Sequence, residues 1–151
     1  MQALVQRVLR ASVRVDGVTV AQMEAGLLLL LCAEHGDTHA TADKLLQKVL
    51  KLRIFSDAQG KMNLSLQDLQ NSGAPAGLLI VSQFTLAADT SGGNRPSFKN
   101  AADPSEGRKL YDYFVQQAKG THGQVQTGVF AADMQVELVN DGPVTLPMRM
   151  V

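Results

Sequence analysis

The run Gly26-Leu27-Leu28-Leu29-Leu30-Leu31-Cys32-Ala33 carries no polar residue at any position, so whatever it forms is buried all round. Gly26 and Gly36 bound it at strand length, far short of the ~20 residues that cross a bilayer. It is predicted as a strand buried on both faces at the centre of a sheet, which other elements must then cover on either side. A chain of 151 residues with 45% hydrophobic and 19% charged residues can supply that cover within a single domain spanning 1–151.

The flanking sequence supplies it. Val13, Val15, Val18 and Val20 surround Asp16-Gly17, and Asp-Gly between β-branched residues is a strong hairpin signal. Leu45, Leu46, Val49, Leu50 and Leu52 recur at helical spacing opposite Lys44, Lys48 and Lys51, which predicts an amphipathic helix over about 42–52. Ile54-Phe55 and Met62 to Leu66 read as short strands around a polar turn, and Leu78 to Leu86 as another apolar strand. Asp103-Pro104-Ser105-Glu106 offers an N-cap, a first-turn proline and a capping acid. The helix it starts should end at Gly120 or Gly123 and bury Leu110, Tyr113, Phe114 and Ala118. Val125 to Phe130 and Met134 to Val139 read as two further strands, followed by a turn at Asn140 to Thr145. The sum is an α+β domain: a largely antiparallel sheet or barrel of about seven strands with two covering helices.

Charge and cysteine content narrow the partners. Fourteen Lys plus Arg against fourteen Asp plus Glu give a formal net charge of zero, which argues against a broad phosphate-coating surface and against DNA as a partner, while leaving a local RNA contact open. The one cysteine, Cys32, has no second thiol to pair with, and the N-terminal residues lack the basic-then-apolar order of a signal peptide. A cytoplasmic protein without a membrane partner is expected.

Three segments stand out as candidate chemistry. Ser82-Gln83-Phe84-Thr85-Leu86 sets two hydroxyls and an amide around a large ring; alternation along a strand would bury Phe84 and Leu86 in the core, the ordinary reading of such a segment. Gly142-Pro143 reads first as a turn, since only ~5% of X-Pro bonds in folded proteins are cis. Thr127 to Met134 places small residues between Phe130 and Met134, which suits close backbone approach or a tight strand connection. His35 and His39 lie four apart, but Gly36 breaks the helix that would align them, so no metal site is expected. His122 reads as an exposed loop residue. Arg7, among apolar neighbours, either snorkels to solvent or forks onto backbone carbonyls. No Ser-His-Asp spacing or G-x-S-x-G elbow is present.

Taken in order, Gln6-Arg7-Val8, Gly60-Lys61-Met62-Asn63-Leu64-Ser65, Ser82 to Leu86, Arg95-Pro96-Ser97-Phe98 and Asn140 to Thr145 closely resemble the D-aminoacyl-tRNA deacylase family, also called D-tyrosyl-tRNA deacylase. The resemblance covers essentially the whole chain. It implies a homodimeric editing hydrolase that cleaves the ester between a D-amino acid, or glycine, and the terminal ribose at the acceptor end of tRNA, with no metal or organic cofactor. It further implies that Ser82, Gln83 and Thr85 form the catalytic neighbourhood and that Phe84, Phe130, Ala132 and Met134 contact substrate. Gly142 and Pro143 would form a Gly-cis-Pro filter reaching into the partner's pocket, supported by Arg7 and Asn140. Many relatives read F-G-A where this chain has Phe130-Ala131-Ala132. Two other readings share the fold: a tRNA-end binding module that cleaves nothing, and a hydrolase of small D-amino acid esters.

Overall fold

A computed structural model describes residues 1–151. The first element is the long strand β1 (Gln2–Val15), joined to β2 (Val18–Met23) by the expected hairpin, with Asp16 at φ 49° and Gly17 at φ 76°. These positive values are what a tight primed turn demands and what Asp-Gly tolerates. The leucine run forms β3 (Gly26–Cys32), α1 spans His39–Lys51, and β4 (Phe55–Ser56) and β5 (Met62–Leu64) make a small separate hairpin. Next come α2 (Leu66–Asn71), β6 (Gly77–Ser82), a 3-10 turn at Phe84–Ala87, α3 (Pro104–Thr121), β7 (Val125–Thr127) and β8 (Gln135–Arg149).

The main sheet is mixed. β1 pairs antiparallel with β3 over residues 2–8 and with β2 over residues 11–15, while β8 runs antiparallel along its other edge. β3 pairs parallel with β6, and β6 parallel with β7. A hydrogen bond from the Gln22 N–H to Gln126 Oε1 (2.7 Å) ties β2 to β7, so the sheet curls almost into a barrel. The order β2-β1-β3-β6-β7 puts β3 in the middle, as its composition requires. Parallel pairing follows because α1 and α2 carry the chain from the end of β3 back to the start of β6.

Alternation divides the core in two. Leu27, Leu29 and Leu31 of β3 and Leu78 and Ile80 of β6 face the helices, joining Leu45, Val49, Leu110 and Phe114 in one cluster. Leu28, Leu79 and Val81 face the inside of the curl with Val8, Val13 and Met23. Where β3 and β6 begin, a side chain at Gly26 would place its Cβ 2.1 Å from the Gly77 carbonyl oxygen, so only glycine permits this strand approach.

Several elements depart from the sequence expectation. α1 starts earlier, because Thr38 and Thr41 cap its N-terminus reciprocally. Asp103 stands at the N-terminus of α3 but makes no capping bond, and Glu106 pairs instead with Lys109 at 2.7 Å. Tyr111, not Tyr113, shares the buried face of α3; Tyr113 stacks on His39 and donates its hydroxyl to Asp43. His122 is buried, with Nε2 2.8 Å from the Ala76 carbonyl oxygen. The strand expected over 125–130 stops at Thr127, and β8 runs through Asn140 to Thr145 where a turn was expected.

A buried ionic knot fastens the chain's two ends. Glu34 accepts from Arg149 Nε (3.0 Å) and Nη2 (3.1 Å), from Gln2 Nε2 (2.9 Å) and from the Met1 amino group (3.3 Å). Burial alone would raise its carboxyl pKa, but the bonds from Arg149, Gln2 and the amino group outweigh it and hold the group below its usual value. A depressed carboxylate stabilises the fold above its unfolded pKa, and that contribution is lost as pH falls through the lower folded value. Glu34→Gln should therefore cost roughly 1 to 3 kcal/mol at pH 7. It should also flatten the loss of stability below pH ~4.3 in denaturant melts; parallel wild-type and variant curves across that range would contradict the assignment.

Candidate active site

Where β3 and β6 end, the chain opens a cavity of about 700 Å³. Leu31, Ser82, Gln83 and Phe84 line it from the sheet, Tyr111 from α3, and Phe130 to Met134 from the segment between β7 and β8. Tyr111 donates to the Ile80 carbonyl oxygen (2.9 Å), and its ring meets Phe130 with centroids 5.6 Å apart. Burial pushes the Tyr111 pKa upward, so the phenol stays protonated and fixed as a wall. The Ala132 N–H closes a turn onto the Val129 carbonyl oxygen (3.2 Å), and Ala131 within it sits at φ 63°.

The decisive local event is that β6 stops at Ser82. The Gln83 N–H makes a last ladder bond to the Leu31 carbonyl oxygen (2.8 Å); Gln83 then turns to ψ 81° and the 3-10 turn begins. Alternation is broken there. Phe84 does not enter the core but is 59% exposed at the cavity mouth. The N–H groups of Phe84 and Thr85 open the turn, where the helix itself offers them no carbonyl, and receive no side-chain cap. The cavity edge thus presents the Phe84 N–H, with the Thr85 N–H one residue further along the turn. Thr85 does not line the cavity; its hydroxyl is the partner of Gln83 Nε2, an amide that cannot act as a base.

The Gly142-Pro143 segment lies elsewhere. Arg7 pairs with Leu27, whereas Leu31 pairs with Ser82 at the cavity floor, which puts Arg7 roughly 13 Å down the sheet. Arg7 Nη1 donates to the Ile54 carbonyl oxygen (2.6 Å) and Nε to that of Asp141 (3.3 Å), so the fork onto carbonyls is the geometry present. Asn140 spans the bend, donating to Thr145 Oγ1 (2.7 Å) and accepting from the Val144 N–H (3.3 Å). The Gly142-Pro143 bond is cis and Gly142 has φ 121°. A Cβ there would lie 3.0 Å from Val144 Cγ2 and 3.1 Å from Arg7 Nη2, so this position also requires glycine. Neither Gly142 nor Pro143 lines the cavity of its own chain.

The D-Tyr-tRNA(Tyr) deacylase family model matches residues 4–149. The chain belongs to this family. A Polaromonas sp. protein called D-aminoacyl-tRNA deacylase is 67% identical over 99% of this chain and 97% of its own length; one from Acidovorax ebreus is 65% identical over 99% and 98%. Among solved structures, one titled c-Myc DNA Unwinding Element Binding Protein superposes with a TM-score of 0.91 at 37% identity, covering 99% of this chain and 98% of that one. A probable eukaryotic D-amino acid tRNA deacylase shares the fold with a TM-score of 0.77 at 17% identity, each chain covered to 97%. Membership places the chain among hydrolases, as the resemblance implied.

Of the residues expected from this deacylase family pattern, the structure brings Ser82, Gln83, Phe84, Phe130, Ala132 and Met134 together around one cavity, with Thr85 just behind it. Arg7, Asn140, Gly142 and Pro143 form a second cluster apart from the first. Sequence reasoning missed Tyr111 and the freed N–H groups, because neither a buried phenol nor a strand's stopping point leaves a compositional signal. Cys32 lines the cavity too, but burial first and the Glu34 charge second push its thiol up to about 11, so it stays protonated and unreactive. No three His, Cys, Asp or Glu side chains converge as metal ligands, and no helix is long and apolar enough to cross a membrane. Asn140→Ala should free the Val144 amide. We expect its hydrogen exchange to accelerate roughly tenfold, about 1.4 kcal/mol, while core amides of β3 are unchanged; unchanged exchange at Val144 would refute the bridging role.

Proposed function

We propose that this family member is a cytoplasmic, homodimeric editing hydrolase that cleaves the ester of D-aminoacyl-tRNA, and of mischarged glycyl-tRNA, releasing free amino acid and tRNA. The observation that carries the reading is a cavity at whose edge the 3-10 turn opens with the Phe84 N–H, unmatched by any intrahelical carbonyl, set in a chain of this family. An aminoacyl ester is already activated, so orientation plus donors at the developing oxyanion suffices without a strong protein base. Water adds to the carbonyl carbon, the Phe84 and Thr85 N–H groups stabilise the oxyanion, the ester C–O bond breaks, and the proton passes to the leaving ribose oxygen. The neighbouring ribose hydroxyl positions that water. A covalent Thr85 intermediate is disfavoured by the amide partner of its hydroxyl and by its place outside the cavity.

Selectivity is assigned to the second cluster, acting from one subunit into the other's cavity. Apolar misfit alone discriminates by about 1 to 3 kcal/mol, too little to spare abundant L-aminoacyl-tRNA. A rigid Gly142-Pro143 wall, held by Arg7 and Asn140, rejects the L side chain by steric exclusion and has nothing to reject in glycine. Separation of the two clusters within one chain and the unpaired outer edge of β8 support assembly as a dimer. DNA is not among the proposed partners, given the zero net charge.

Incubation with D-tyrosyl- and L-tyrosyl-tRNA should show loss of the D ester with the L ester largely intact; equal rates would refute the reading. Ester stability with protein in excess would favour a binding module, and equal action on free D-tyrosine esters a simple esterase. Thr85→Ala should lose less than about tenfold, whereas a D-aminoacyl end lacking the 2′ hydroxyl should react roughly 100-fold slower; an acyl-Thr85 adduct in a mass spectrum would overturn the substrate-assisted route. Arg7→Ala should lower the D to L rate ratio while the dimer persists, as read by sedimentation and paired rate assays.

A further inference from the structure

We propose that Phe84 and Phe98 form a stacking platform for the base preceding the terminal adenosine, with Lys99 beside its phosphate. The proposal deepens the deacylase reading and rests on it. The two rings meet edge to face with centroids 5.1 Å apart, Phe84 being 59% and Phe98 37% exposed, and neither belongs to a core cluster. Both line the mouth of the cavity, as does Lys99, which takes part in no ion pair of the chain.

The loop carrying Phe98 is exposed but fastened. Asp89 and Ser97 exchange backbone bonds of 2.7 and 3.0 Å, the Ala101 N–H returns to the Phe98 carbonyl oxygen (3.0 Å), and the Ala102 N–H reaches the Ala33 carbonyl oxygen (2.9 Å). The phenyl ring is therefore presented to solvent by a preorganised backbone, which lowers the ordering cost of binding. An RNA end whose terminal aminoacyl-adenosine fills the cavity must trail its next nucleotide across this mouth. Exposed aromatic faces beside a cation are the combination that holds unpaired bases, independent of sequence.

The test compares D-tyrosyl-adenosine, D-tyrosyl-CpA and D-tyrosyl-tRNA as substrates. For the wild type, kcat/KM should rise roughly tenfold or more from the adenosine to the CpA ester, mainly through KM. Phe98→Ala should remove that gain and leave the adenosine ester unaffected. Phe98→Trp should keep the gain and Phe98→Leu should lose it, which separates stacking from mere apolar bulk. Lys99→Gln should reduce the salt slope of log KM for the longer substrates by about 0.7. An unchanged CpA-to-adenosine ratio in Phe98→Ala, an equal loss on all three substrates, or dissociation of the dimer in that variant would overturn the platform, the last by making Phe98 a contact between subunits. Wild-type inactivity on all three esters would instead sink the deacylase reading, and the platform with it.

Discussion

The parallel pairing of β3 with β6 is the constraint on which the rest of the molecule depends. Leu27, Leu28, Leu29, Leu78, Leu79 and Ile80 are at most 1% exposed, so the pair needs apolar cover on both faces at once. At about 25 cal/mol per Å² of apolar surface, leaving either face open would forfeit several leucines' worth of burial, more than the whole margin of a domain this size. The helices cover one face, and the curl of β1, β2 and β8 covers the other. Both strands therefore end at the same rim, where one face's cover gives out and the backbone must leave the sheet. The cavity lies at that rim, and its donors exist because β6 turns away there.

An active site of this kind has little to advertise. Its cavity holds a protonated phenol and a protonated thiol, and the Thr85 hydroxyl just behind it is tied to an amide. Such a site does not generate a strong nucleophile; it suits a substrate whose bond is already weak. The weakness of the catalytic signature and the lability of an aminoacyl ester are then two sides of one argument, since a strong base beside such an ester would accelerate its hydrolysis whatever the handedness of the amino acid.

Much of the fold was legible in the sequence, for reasons residue by residue. Asp16-Gly17 specified its hairpin because few dipeptides adopt positive φ at two successive positions, and Leu27 to Leu31 specified a central strand because nothing else buries both faces at that length. Pattern failed where an apolar residue is kept for something other than the core. Phe84 and Leu86 continue the hydrophobic register of β6, yet the backbone has already turned, and periodicity cannot report a strand's end when hydrophobicity does not change there. The reverse error occurred at Gly142-Pro143, where punctuation suggested a turn but pairing with β1 resumes on either side of the interruption, at Asn140 and Thr145. Buried His122 looked exposed because its acceptor, the Ala76 carbonyl oxygen, is 46 residues away. The candidate site residues were named through family resemblance, not through chemistry visible in the sequence, and what the structure adds is that six of them line one cavity.

β8 gives the two-cluster arrangement its physical sense. None of its fifteen residues is fully buried, and Val136, Leu138, Val144, Leu146 and Met148 are only half covered by packing against the cores. Its one strand neighbour is β1, so the opposite edge carries a row of unpaired N–H and C=O groups along a strand well above the usual length. An isolated chain would bear that edge as an aggregation liability. In the proposed dimer the same edge is where a second copy seats, and the bend at Asn140 to Thr145 is carried toward the other chain's cavity. On that proposal selectivity would depend on assembly: a lone subunit would hold the donors proposed for the oxyanion but not the wall proposed to spare the L substrate, so the separation of the two clusters would keep an unassembled chain from presenting a finished pocket.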